Sequence, residues 1–188
     1  MFFGRQCVPH QIQQILRGTA DALRWIRRET VARLNRGMTA VEILHDLCYP
    51  PELFDQPWMQ PIYGHPDYIV RDVVRAETGW WDRNPTSLHP AHPDAAGAAV
   101  LSAIADRGAV LDRARALQAA GEAQLALHVV DLLALAPGDD PDVVEARALK
   151  AELCNALAEV SSSFVSQSLF VSSARIIAKG AKKHTGVR

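Results

Sequence analysis

The 188-residue sequence predicts an all-α protein, an antiparallel helical bundle with tetratricopeptide-like helix hairpins. Three observations carry that prediction. Alanine and leucine, both good helix formers, dominate its apolar content over β-branched residues. Apolar residues recur at three- and four-residue spacing through most of the chain. Proline and glycine clusters fall between the periodic segments, where helices must stop.

Composition limits what any motif can mean. The length suits one domain with a sizeable core, or two small subdomains. A formal net charge of −1 argues against a nucleic-acid footprint spread over the surface. Cys7, Cys48 and Cys154 are odd in number and form no Cys-x-x-Cys pair, so neither a disulfide framework nor a thiolate zinc site is expected. No apolar run approaches a membrane span, and Met1 to His10 lacks the apolar centre of a signal peptide. The sequence-level expectation is a soluble, cytoplasmic protein with no nucleic-acid or membrane partner.

The first helix is expected from near Pro9, carrying Ile12, Ile15, Leu16, Leu23, Ile26, Val31 and Leu34 on its apolar positions, with Gly18 a local weakness. Asn35-Arg36-Gly37 supplies a left-handed exit. Thr39-Ala40-Val41-Glu42 has the spacing of a capping box and starts a second helix through Leu47. Tyr49-Pro50-Pro51 stops it. From there to Gly64 the prolines predict an extended segment lying against the body of the protein, because Leu53, Phe54, Trp58, Met59 and Tyr63 need burial.

After Pro90 to Pro93 the chain is regular. Ala95 to Asp106, Ala109 to Ala120, Glu122 to Ala136 and Asp142 to Glu159 read as consecutive helices, and Phe164 to Ala178 as a last one capped from Ser161-Ser162-Ser163. Asp140 is a plausible N-cap, followed by Pro141 at the first helical position. Leu117 to Leu127 has the small residues and glycine turn of one tetratricopeptide-like hairpin. Lys179, Lys182, Lys183 and Arg188 make a basic end, read as a solvated tail.

Between these halves, Tyr63 to Pro90 mixes aromatic, cationic and turn residues more densely than a bundle loop requires. Trp80 and Trp81 are candidates for an alkyl-chain groove or a subunit contact, against the plainer reading that adjacent tryptophans include a core anchor. His89 and His92 have a loose metal-like spacing without a carboxylate or thiol partner, and a catalytic zinc needs three protein ligands. His128 is expected to pack in the core. No nucleophile elbow or glycine-rich phosphate loop is present, and neither a catalytic residue nor a metal site is assigned.

Tyr63-Gly64, Arg71, Gly79-Trp80-Trp81-Asp82 with Asn84-Pro85, the Asn35-x-Gly37 exit and Gly121-Glu122 before an alanine-rich helix resemble the helical dimerisation domain of alkyl sulfatases, from about Phe3 to about Ile177. The resemblance implies residues 1–180 as that domain: 1–62 the N-terminal helices and connector, 63–90 the motif segment, 91–180 the helical hairpins, and 181–188 a basic tail. It implies a homodimer. It also implies that Tyr63 and Arg71 lie at the sulfate end of a substrate pocket, where the amides before a helix starting at Pro66 would favour an anion. The plainer reading of Arg71 is an exposed ion pair with Asp67.

The family's catalytic part resembles metallo-β-lactamases and hydrolyses sulfate esters of long-chain alcohols with two metal ions, usually zinc. Its His-x-His-x-Asp-His motif is missing here, so the resemblance implies a middle portion of a larger enzyme, truncated and inactive alone, with a separate metallo-β-lactamase-like chain as a candidate partner. Where the family usually reads Asp-Gly-Asn-Pro, this chain has Asp82-Arg83-Asn84-Pro85. An arginine held at positive φ would be strained there, unless the turn adapts. The alternative function is a free-standing helical module binding a partner through its hairpin.

Overall fold

The computed structural model describes residues 9–183, with side chains as far as residue 180. Ten helices and no strand occupy the described residues. The chain divides after Leu88 into two compact units, each with its own core. Phe3, Gly4, Cys7 and the end of the basic tail lie outside the described residues.

The first unit begins with α1 (Pro9–Asn35), which runs through Gly18 without interruption and buries Ala22, Ile26 and Thr30. It ends as a Schellman motif. Gly37 sits at φ +86°, its amide bonds to the Leu34 carbonyl (2.9 Å), and the Met38 amide reaches Arg33 (3.2 Å). The capping box of α2 (Ala40–Asp46) forms in both directions: the Glu42 amide donates to Thr39 Oγ1 at 3.3 Å, and the Thr39 amide to Glu42 Oε2 at 2.7 Å.

The connector departs from the expected extended path. Pro51 presets the backbone for one helical turn, α3 (Pro51–Phe54), closed by the Leu53 and Phe54 amides on the Pro50 carbonyl. That turn aims Phe54 at Trp25 (ring centroids 5.5 Å apart) and at Tyr49 (4.9 Å), an aromatic trio that pins the connector to α1. Tyr63, expected to need burial, is instead 74% exposed, and its neighbour Ile62 is 63% exposed.

Next come α4 (Pro66–Thr78), which buries Val70 and ends at Gly79 (φ +82°), and α5 (Pro85–Leu88), a single turn beginning at the Asn-Pro step. The core of this unit joins Ile26, Ile43, Leu47 and Val70.

The second unit is a run of helices in which each of the last four packs on the next. Their short connections make neighbours antiparallel. The first, α6 (Pro93–Ser102), stops before the expected Asp106 because that carboxylate caps the following helix, α7 (Arg107–Ala119), accepting from the Ala109 amide at 3.0 Å. Gly121, at φ +81°, turns the chain into α8 (Ala123–Ala134).

Asp140 does hold the N-cap position of α9 (Pro141–Val160), but its side chain takes no helix amide and pairs with Arg107 at 3.0 Å. The last helix, α10 (Phe164–Lys183), starts where expected and runs past Ala178; Ser163 Oγ accepts from the Ser166 amide at 3.1 Å. Leu111, Leu117, Val130, Leu133, Leu149 and Leu153 anchor the core of this unit.

Two contacts lock the end of α8. Arg147, on α9, donates to the carbonyls of Ala134 (3.3 Å), Ala136 (2.5 Å) and Gly138 (2.8 Å), so one guanidinium satisfies acceptors that the helix end leaves free. Gly97, on α6, approaches the same place so closely that a Cβ built there would lie 2.5 Å from the Leu135 carbonyl oxygen.

Candidate functional site

The residues singled out for the sulfate end belong to the entry and first turns of α4. His65 holds the N-cap position: its Nδ1 accepts from the Asp67 amide at 3.3 Å. The same amide is thereby withdrawn from any anion approaching the helix. Asp67 faces His65 and the Tyr49 hydroxyl (3.4 Å) and makes no pair with Arg71, which overturns the ion-pair reading. Burial, and then the Asp67 charge, push the Tyr49 hydroxyl well above its ordinary pKa, so it stays protonated as the donor.

Arg71 is exposed on α4, with no ion-pair partner among the described residues, and Tyr63 stands exposed three residues before the helix. Arg71 therefore offers an uncommitted guanidinium to an acidic group.

Trp80 and Trp81 follow the C-terminal end of α4. The core-anchor reading fails for both: Trp80 is 71% exposed and Trp81 40%. Trp81 is held by its indole N–H, which donates to the Asn84 carbonyl at 3.0 Å, and it walls a groove of about 90 Å³ with Val41, Val74 and Arg83. That volume is small beside the roughly 300 Å³ or more usual for a ligand pocket. Trp80 has no such seat.

The turn between them and α5 is built by Asp82, whose carboxylate accepts from the Asn84 amide and the Ser87 hydroxyl (2.8 Å each); these bonds hold its pKa below the usual carboxylate range. Arg83 keeps positive φ (+69°), so the turn does not adapt to the side chain. The arginine compensates by donating from Nη1 to the Gly37 carbonyl at 2.8 Å, tying this turn to the exit of α1.

The second unit holds a larger groove, about 360 Å³, between α6 and α8. Its walls are Pro93, Ala96, Gly97 and Val100 on one helix and His128, Asp131, Leu132 and Leu135 on the other, each set spaced i, i+3, i+4, i+7 along a single face. His128, expected in the core, is exposed here, because the buried side of α8 is set by Ala126, Val130 and Leu133. Asp131 on the groove edge pairs with Lys150.

Sequence reasoning missed this groove, and it missed the capping role of the histidines. The signal for the latter was present: His65-Pro66-Asp67 recurs as His92-Pro93-Asp94, and His92 Nδ1 likewise accepts from the Asp94 amide at 3.3 Å. The two histidines that follow this pattern are thereby committed to helix starts.

The two zinc ions implied by the family do not fit the donor set. Among the described residues no three His, Cys, Asp or Glu side chains converge on one point, so no step of a reaction is derived through a metal here. No described helix is long and apolar enough to cross a membrane.

Comparison with known proteins agrees with the helical reading. The family model described as "Alkyl sulfatase dimerisation" matches residues 39–180. The linear primary-alkylsulfatase of a Pseudomonas species is 29% identical over 116 residues, 61% of this chain and 21% of that protein. The alkyl/aryl-sulfatase BDS1 of Saccharomyces cerevisiae is 32% identical over 143 residues, 76% of this chain and 22% of that protein. In three dimensions a double mutant of the sec-alkyl sulfatase PisA1 superposes with a TM-score of 0.79 at 25% identity, covering 91% of this chain and 27% of the other. The chain thus spans about a fifth of the length of these curated relatives. With the match running from the capping box of α2 to the last turns of α10, the chain belongs to the alkyl sulfatase dimerisation family.

Proposed function

We propose that this chain is the dimerisation and substrate-clamping part of an alkyl-sulfatase-type hydrolase acting on linear primary alkyl sulfates such as dodecyl sulfate. The family match over residues 39–180 carries the reading, and the printed activity of the Pseudomonas relative suggests the substrate class. Metal-dependent attack of water on the sulfate ester would be supplied by residues outside these 188, from a metallo-β-lactamase-like part, with zinc the metal expected there. The thiols of Cys48 and Cys154, both unpaired, suit a reducing, cytoplasmic setting.

In this reading the present residues bind and orient. Arg71 supplies a guanidinium that matches the oxygens of a sulfate and adds charge-assisted hydrogen bonds, and Tyr63 adds a hydroxyl on the approach to the same helix. The 71%-exposed Trp80 and the seated Trp81 offer apolar rings to an alkyl chain, whose burial contributes about 0.8 kcal/mol per CH₂. The clamp thus raises occupancy and orientation; the chemistry lies elsewhere.

Titration of the whole chain with decyl sulfate below its micellar concentration tests the clamp, read by tryptophan fluorescence. A saturable blue shift is expected, weakened at least several-fold by Arg71→Ala and reduced in amplitude by Trp80→Ala. An unaltered titration in both variants contradicts it.

A further inference from the structure

The groove between α6 and α8 carries a second, more specific inference, which rests on the dimerisation reading. On α8, Leu125, His128, Leu132 and Leu135 are spaced three, four and three residues apart, the a/d pattern of a helix that packs against another helix. At 100° per residue they fall within an arc of about 80°. All four face solvent, the leucines at 50%, 44% and 59% exposure, and Val100 on α6 extends the strip at 44%. Single exposed leucines are ordinary; three on one helix face, interrupted only by His128 and lying beside a groove, mark an interaction surface.

The geometry points to a second copy of this chain as the occupant, with α8 of one protomer lying antiparallel against α8 of its partner across a two-fold axis. The strip is its own complement in that arrangement: Leu125 meets the partner's Leu135, and His128 meets the partner's Leu132. Ala96 and Gly97 leave the α6 wall low, so a leucine side chain from the partner has room beside its own α8.

The charge at the groove edge is balanced by an ion pair between Asp131 and Lys150. A 12-residue helix is only about 18 Å long, too short by itself for the roughly 800 Å² per partner of a standard interface, so α6 must join the contact.

Other exposed apolar faces exist: Ile12, Leu16 and Leu23 share one on α1 at 46%, 66% and 42% exposure, and Leu169 and Ile176 share one on α10 at 59% and 70%. The α8 strip is set apart by the groove of about 360 Å³ beside it, where a partner helix can seat its side chains. Both α6 and α8 lie whole within the family match over residues 39–180.

Sedimentation velocity of the full chain over the micromolar range tests the seam, comparing the natural sequence with Leu132→Glu, Leu125→Glu and, as the α1 control, Leu23→Glu. Leu125 is half exposed, so its replacement keeps the test open should Leu132→Glu disturb the fold. The expected result is a dimer for the natural sequence and for Leu23→Glu. For the seam variants the dissociation constant should rise about 100-fold or more with helical circular dichroism retained, as loss of a buried hot spot does.

Seam variants that stay dimeric with unchanged affinity overturn the seam while leaving dimerisation standing, as does dissociation confined to Leu23→Glu. A natural sequence that stays monomeric throughout removes the seam and the dimerisation reading together.

Discussion

The Arg83 guanidinium donates to the Gly37 carbonyl at 2.8 Å, and both residues sit at positive φ, +69° and +86°. Glycine adopts that conformation freely, whereas an arginine there carries strain on the order of 1 kcal/mol. The hydrogen bond to the α1 exit offsets it. The turn, where the resemblance led to an expectation of glycine, is therefore held here by a long-range contact, and the strain and the bond can be separated by mutation. Arg83→Ala keeps the strain and loses the bond, so it should destabilise by about 1–2 kcal/mol. Arg83→Gly loses both and should come out near neutral. Urea denaturation followed by circular dichroism measures the difference; equal losses in the two variants would show that the backbone at this turn is not under strain.

Arg147 holds three carbonyls at the end of α8 while its side chain is 15% exposed. A lysine delivers one ammonium and cannot span the three acceptors with a planar fork. Arg147→Lys should therefore cost about 2–3 kcal/mol, most of what Arg147→Ala costs. Denaturation midpoints of the two variants check this, and a lysine variant as stable as the natural chain contradicts the fork geometry.

Gly97 gives a sign test. In an exposed helix, Gly→Ala stabilises by up to about 1 kcal/mol. Here the added methyl would meet backbone, 2.5 Å from the Leu135 oxygen and 3.0 Å from the Ala136 Cα, so α6 must move away from α8. Gly97→Ala should lower stability by about 1–3 kcal/mol, as overpacking does. A raised melting temperature would contradict the close approach of the two helices.

Acid should loosen the first unit. Hydrogen bonds from Arg28 and Arg33 hold Glu29 below its ordinary pKa; the Thr39 amide and hydroxyl do the same for Glu42, and the Asn84 amide and Ser87 hydroxyl for Asp82. A carboxyl whose pKa is lower in the folded state adds stability above its unfolded pKa, about 4, and loses it as pH falls through the folded value. Thermal stability should hold from pH 7 to pH 5 and fall below pH 4. The Glu29→Gln, Asp82→Asn double variant should show a shallower fall, and an unchanged slope contradicts these assignments.

Much of the fold was legible because the signals are local. The Gly37 exit, the Thr39–Glu42 box, the Pro141 start and the Ser163 cap each depend on residues within a few positions of one another, and each forms as its spacing indicates. What was not legible depends on partners far along the chain. Asp140 looks like a capping residue until Arg107, 33 residues earlier, takes its carboxylate. His128 looks like a core position until the burial of Val130 and Leu133 fixes which side of α8 faces inward.

The candidate site was the least legible part. Tyr63, Arg71, Trp80 and Trp81 stand mainly on the surface of the first unit, where periodicity says nothing about what they will touch. The adjacent tryptophans looked like core anchors because large aromatic rings are usually covered. Here Trp81 is seated by one hydrogen bond and Trp80 is left to solvent.

Self-association is the claim on which the rest depends, and the molar mass of the full chain in solution tests it most directly. Light scattering on the eluting peak at micromolar concentration should give twice the chain mass of 20.6 kDa. A mass of 20.6 kDa that persists as concentration is raised would contradict the account.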